Sequence, residues 1–254
     1  SRRRHTRFRN VTGVQTCALP ICRITTALLL GFVGALQVSI ALAETLLWMT
    51  LLSWVALHIQ ARTRPSAPRF FIPLLAYAGL TLAASLLSLD RAASLIDSRQ
   101  LLLFAIVPAV YDVARGERAS TVIDVILSVG AASAVLGIVQ YGVLHYDNLG
   151  QRPQGLLTHY MTYSGTLMLV ICAAVARLIF GSRDRIWPAL VMPAVVVALA
   201  LTFTRNAWIG ACAATGVLLL LKDFRLAGLL PVIVAVLVVF APEGLLTRLT
   251  STFN

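Results

Sequence analysis

The chain has 254 residues, 59% hydrophobic and only 12% charged, with a formal net charge of +11 and a mean hydropathy of +0.86. A soluble domain has no use for that much apolar surface, so the composition points to an all-α, polytopic transmembrane helical bundle. Nucleic acid is not an expected partner, because no basic–aromatic face occurs. No phosphate-cradling glycine loop or Cys/His cluster with zinc spacing is present either, so neither a cofactor nor a metal is expected.

In chain order, residues 1–21 (SRRRHTRFRNVTGVQTCALPI) resemble a translated DNA-sequencing adapter, and Cys22 straddles the junction, so 1–22 is read as a non-native segment. Setting aside Arg2, Arg3, Arg4, Arg7 and Arg9 lowers the net charge from +11 to +6. Apolar runs then follow at Thr25–Leu42, Thr45–Ile59, Phe70–Leu89, Leu101–Ala114, Thr121–Leu144, Tyr160–Phe180, Ile186–Thr204, Ala207–Leu221 and Leu226–Leu245. A span needs about 20 residues, with roughly 17–25 tolerated, so the fourth and eighth runs are short and the second is marginal. The first two are separated only by Ala43–Glu44, so they form a tight hairpin or one long bent helix; the hairpin, with Glu44 at its outer turn, is the favoured reading. Residues 23–241 are thus expected to form a transmembrane domain of about nine spans, and 242–254 emerge beyond it.

Basic residues set the orientation. With a cytoplasmic N-terminus, the inner loops carry Arg62, Arg64, Arg69, Arg115, Arg118, Arg183, Arg185, Lys222 and Arg225. The outer loops carry Arg91, Arg99, Arg152, Arg205 and Arg248. Other polar residues have structural readings. Asp112 and Asp124 fall at helix ends within reach of Arg115 or Arg118. Gln37 and Gln140 are expected to hydrogen-bond between helices. Trp187 and Trp208 suit interface anchoring, as do His58 and His145. Pro108 and Pro193 mark kinks. Cys172 and Cys212 read as small buried hydrophobes.

Arg152 and Arg205 stand out on the side poor in positive charge. In Gln151-Arg152-Pro153-Gln154-Gly155, proline and glycine stiffen the loop, and Thr158 suits the N-cap of the next helix. In Thr202-Phe203-Thr204-Arg205-Asn206-Ala207-Trp208, two spans are joined with almost no linker, which holds Arg205 near the bilayer surface. A single such arginine is more often a lipid-headgroup contact. Two in rigid loops leave that reading and a polyanion receptor equally open, with pyrophosphate as the candidate because guanidinium forks match phosphate oxygens bidentately.

The order of spans, the loop QRPQG before a helix, and the turn TFTRNAW resemble the bacterial O-antigen ligase and O-antigen polymerase superfamily. Its second motif commonly reads Thr-x-Ser/Thr-Arg, then a small residue and an aromatic; Thr202, Thr204, Arg205, Ala207 and Trp208 stand in that pattern. The ending LLTRLTSTFN is similar to the family's entry into a large periplasmic loop, and the resemblance covers about Ala27 to Asn254.

The resemblance implies an inner-membrane, inverting glycosyltransferase that needs no metal. Its donor would be a glycan on undecaprenyl pyrophosphate, and its acceptor lipid A–core or another glycan, with membrane lipids around it. Arg152 and Arg205 would bind the pyrophosphate. The catalytic base would be a histidine in the periplasmic loop beyond Asn254, so the chain as it stands is expected to be inactive. His159, at the mouth of the sixth span, could touch substrate or cap the helix. A polymerase or a protein O-oligosaccharyltransferase would look the same over these residues. A transporter or flippase fragment, or a structural subunit, is the competing class.

Overall fold

A computed structural model of the chain describes residues 20–146, 151–181, 185–223 and Gly228. Among the described residues the protein is all-helical, with no strand. The helices are α1 (Pro20–Ala35), α2 (Ile40–Ala61), α3 (Phe71–Leu86), α4 (Arg91–Ser98), α5 (Ile106–Val113), α6 (Glu117–Gly142), α7 (Tyr160–Phe180), α8 (Ile186–Leu201) and α9 (Arg205–Lys222). A 3-10 segment, Arg99–Ala105, joins α4 to α5.

Among the described residues, four helical stretches are long and apolar enough to cross a bilayer: Ile40–Ala61, Arg91–Val113, Glu117–Gly142 and Tyr160–Phe180. Pro20–Ala35, Phe71–Leu86 and Ile186–Leu201 are shorter apolar helices. Together they make this a helical protein of membrane-embedded type. The expected run Leu226–Leu245, the segment 242–254 and most of the adapter-like segment lie outside the described residues.

The chain divides into two compact units, Ser1–Phe32 with Ala43–Ser120, and Val33–Leu42 with Thr121–Asn254. In the first unit, Leu47, Leu51 and Ala109 form a small core, backed by Phe32, Trp54 and Ile106. The stretch Arg91–Val113 corrects the expected fourth span. Asp90 caps α4 by accepting from the Ala93 N–H at 3.1 Å, which places Arg91 and Arg99 on helix rather than in an outer loop. α4 was missed because its Arg, Asp and Ser residues break the apolar run. Ser98 donates to the Ser94 carbonyl at 2.8 Å and meets Ser85 of α3 at 2.7 Å, so these hydroxyls are satisfied locally and across the α3–α4 hairpin. Pro108 lacks an N–H and would crowd the carbonyl four residues back. The backbone tightens to 3-10 geometry just ahead of it.

The first hairpin also turns earlier than expected. Ala43 and Glu44 lie inside α2, and the break falls at 36–39. Gln37 is buried there and donates to the Ile126 carbonyl of α6 at 3.1 Å, while the Ser39 hydroxyl accepts from Leu42 N–H at 3.5 Å. Two polar side chains thus support the turn, and Glu44 is left exposed on the helix.

In the second unit a single core runs through α6, α7, α8 and α9, centred on Leu127, Tyr163, Leu167, Val170, Val195 and Leu199. Lipid tails offer little hydrophobic drive for helix association, so close fit must supply it. Gly130 and Gly137 on α6 form notches filled by Val170 and Tyr163 of α7. Gly210 of α9 lies against Met168 of α7 in the same way. Trp208 belongs to this packing: it lies against the core with its indole nitrogen buried.

A methyl group at Gly137 would strike the Tyr163 hydroxyl, and that ring is fully buried. Gly137→Ala should therefore destabilise the second unit by about 1–3 kcal/mol, the usual range for overpacking. Gly79→Ala on α3, where nothing lies within 4 Å, should leave stability unchanged or slightly raised. Thermal unfolding in detergent checks the contrast.

Candidate functional site

The end of α6 organises the region that carries Arg152 and Arg205. Gln140, in its last turn, does not bridge to another helix as expected; it clamps the loop that follows. Its Nε2 donates to the Gly155 carbonyl at 2.7 Å. Its Oε1 accepts from the N–H groups of Gln154 at 3.0 Å and Gly155 at 2.9 Å. Gly155 has φ +60, a region disfavoured for residues with a Cβ. Any Cβ there would also collide with the Tyr163 ring. Pro153 and Leu157 are buried on either side, so the loop is pinned at alternate positions.

That pinning directs Arg152. Its guanidinium carbon lies 4.5 Å from the centre of the Tyr160 ring, a cation–π contact worth about 0.5–2 kcal/mol depending on desolvation. Its Nε is buried with no hydrogen-bond partner, and no carboxylate among the described residues pairs with it. A cation held against an aromatic ring with an unsatisfied buried donor favours an incoming anion.

His159 stacks on Tyr160 at 4.8 Å and 21°. Its Nδ1 accepts from the Met161 N–H at 3.2 Å, which makes His159, not Thr158, the N-cap of α7. The imidazole reaches the second amide of the helix from the cap position, and Thr158 stands one residue too early. In the neutral ring this bond leaves the proton on Nε2.

The second loop is a three-residue turn between α8 and α9. Thr202 is fully buried and donates to the Leu199 carbonyl at 2.7 Å. Phe203 adopts φ 52, strained for a residue with a side chain, and packs its ring 6.3 Å from that of Tyr141. The Thr204 hydroxyl donates to the Thr202 carbonyl at 3.2 Å and does not cap the helix. Arg205 is the first residue of α9 and half-buried. The peptide N–H groups of that first turn have no acceptor within the helix and carry its positive dipole end.

The two arginine loops therefore rest on neighbouring residues of α6, Gln140 and Tyr141. On a helix such neighbours differ by about 1.5 Å in height and ~100° in azimuth. Both loops sit at one end of the second unit, beside the start of α7, the end of α8 and the start of α9.

Polar groups elsewhere are used structurally. Asp112 meets Arg115 at 3.0 Å as expected. It also accepts from the Ser66 N–H at 3.2 Å and from the Ser66 hydroxyl, and it contacts His58 Nε2 at 3.1 Å. His58 is therefore part of a half-buried polar knot, its Nδ1 lying 2.8 Å from the Thr63 hydroxyl. Asp124 pairs not with Arg115 or Arg118 but with Arg177 of α7 at 3.5 Å. Arg118 turns instead to the Val113 carbonyl at 3.2 Å. Arg177 was missed in the sequence; its signal is an arginine three residues inside the end of an apolar run.

No protein-family model matches the chain, and no curated protein or solved structure is significantly similar to it.

Gln140→Leu should release the 154–155 backbone, raising amide hydrogen exchange at Gln154 and Gly155 by tenfold or more, about 1.4 kcal/mol of lost protection. If His159 serves as a cap, His159→Asn should keep stability while His159→Ala lowers it by about 1 kcal/mol. Thermal unfolding of both variants checks this.

Proposed function

We propose that the second unit carries the donor site of a bacterial inner-membrane glycosyltransferase of the O-antigen ligase type. It would move a glycan from undecaprenyl pyrophosphate to lipid A–core, or to another acceptor. The observation that carries this reading is Arg152, held over Tyr160 with a buried, unsatisfied Nε. Arg205 adds a second guanidinium at the start of α9, and the two loops share one end of α6. The resemblance of QRPQG and TFTRNAW to the superfamily supplies the substrate class.

In such a transfer the acceptor oxygen attacks the anomeric carbon as its bond to the diphosphate oxygen breaks. Negative charge grows on the leaving lipid diphosphate, where fixed guanidinium groups stabilise it more than in the ground state. The acceptor proton passes to a base, for which the resemblance supplies a histidine in a periplasmic loop. Polymerases and protein O-oligosaccharyltransferases would use the same donor chemistry with a different acceptor.

A transporter or flippase reading draws on one observation. Arg91–Val113 carries Asp97 and Arg99 and breaks into 3-10 geometry at Arg99–Ala105, and polar, broken helices commonly line translocation paths.

Binding to the purified chain in lipid nanodiscs separates these. Undecaprenyl pyrophosphate should bind at least tenfold more tightly than the monophosphate, a difference of about 1.4 kcal/mol. Arg152→Ala and Arg205→Ala should each abolish that preference, with Arg152→Lys intermediate because it keeps charge but not the fork. If both alanine variants retain the preference while Arg99→Ala removes it, the transporter reading replaces the glycosyltransferase one.

A further inference from the structure

At the C-terminal end of α2, within the first unit, an open cleft of about 400 Å³ is lined by Trp54, Val55, His58, Ile59, Arg62 and Thr63, among others. Three of its properties are independent of the arginine loops in the second unit. The first is an unclaimed cation. Arg62 is exposed, its backbone is held at φ 50, and no ion pair reaches it among the described residues. Asp112 cannot easily serve it, being engaged by His58, Ser66 and Arg115.

The second property is a donor without an acceptor. The indole Nε1 of Trp54 is buried with no hydrogen-bond partner, and its ring is set edge-on to His58 at 5.0 Å and 84°. The polar atoms of His58 are already engaged by Thr63 and Asp112, so this wall of the cleft is held rigidly. The third property is an apolar track leading away from the cleft. Leu52, Val55 and Ile59 are 69%, 47% and 73% exposed. Their spacing of three and four places them on one face of α2, a 22-residue helix long and apolar enough to cross a bilayer.

A cation, an indole ring in the cleft wall and a lengthwise apolar stripe at the end of a membrane-length helix match an amphiphile with a negative head. We propose that this cleft binds one anionic phospholipid, its phosphate on Arg62 and an acyl chain along Leu52, Val55 and Ile59. Guanidinium forks suit phosphate oxygens. Indole rings favour headgroup depth, and basic pockets beside helices hold anionic lipid heads.

Native mass spectrometry of the delipidated chain, titrated with phosphatidylglycerol and with phosphatidylcholine, tests this. Phosphatidylglycerol should bind about fivefold or more tightly than phosphatidylcholine, the scale of one basic residue at an anionic surface. Arg62→Asn, chosen because asparagine tolerates positive φ, should remove the preference. Trp54→Phe should weaken it, and Arg64→Ala, in the same loop but outside the cleft, should leave it intact. Equal losses in the Arg62 and Arg64 variants would mean a diffuse basic surface and overturn the site, as would an unchanged preference in Arg62→Asn. Displacement of the lipid by millimolar inorganic phosphate would overturn the lipid assignment in favour of a soluble phosphate.

Discussion

The second unit depends on how Tyr163 is buried. The ring is fully enclosed, its hydroxyl donates to the Ser133 carbonyl at 2.9 Å, and it fills the notch at Gly137 while its edge covers Gly155. One side chain of α7 thereby fixes both its helix against α6 and the loop between them. Ser133, Gly137 and Gln140 recur at spacings of four and three, so they share one face of α6. The same face that accepts Tyr163 also clamps the loop backbone. Near a membrane, loop amides without water must be satisfied by protein, and Gln140 does this for both N–H groups and one carbonyl.

Most arginines whose partners are resolved end on protein acceptors, and Arg152 differs from them. Arg115, Arg118 and Arg177 all end on carboxylates or carbonyls of their own unit, as buried or juxtamembrane charges generally must. Arg152 ends instead on an aromatic face, which offsets part of its desolvation without neutralising it. Its charge has no carboxylate partner among the described residues. In the first unit, Asp112 gathers His58, Ser66 and Arg115, tying the end of α2 and the loop after it to α5.

Legibility varied with how local the deciding interaction is. The seventh helix matches the apolar run Tyr160–Phe180 end to end, because length and hydropathy alone define it. α4 was invisible, since an amphipathic helix carrying Arg, Asp and Ser reads as loop when apolar runs are counted. The α1–α2 turn moved from Ala43–Glu44 to 36–39 because Gln37 finds a carbonyl on α6, a partner 89 residues away. Asp112's pairing with Arg115 was legible at three residues' separation, whereas Asp124's with Arg177 and His58's with Asp112 join different helices. The candidate arginines were legible as residue types in conspicuous places. Their shared support on Gln140 and Tyr141 was not.

The sequence by itself determined that the chain is apolar and its described residues helical, roughly where most helices run, and that Arg152 and Arg205 interrupt apolar stretches beside rigid turns. Hydropathy and turn chemistry sum over neighbouring residues, so they can be read along the chain. Tertiary structure decided which polar group finds which partner: that Gln140 holds a loop, that His159 rather than Thr158 caps α7, and that Arg152 lies over Tyr160 with a donor unspent. Those outcomes depend on distances across helices, set by notches such as Gly137 and by the side chains that fill them.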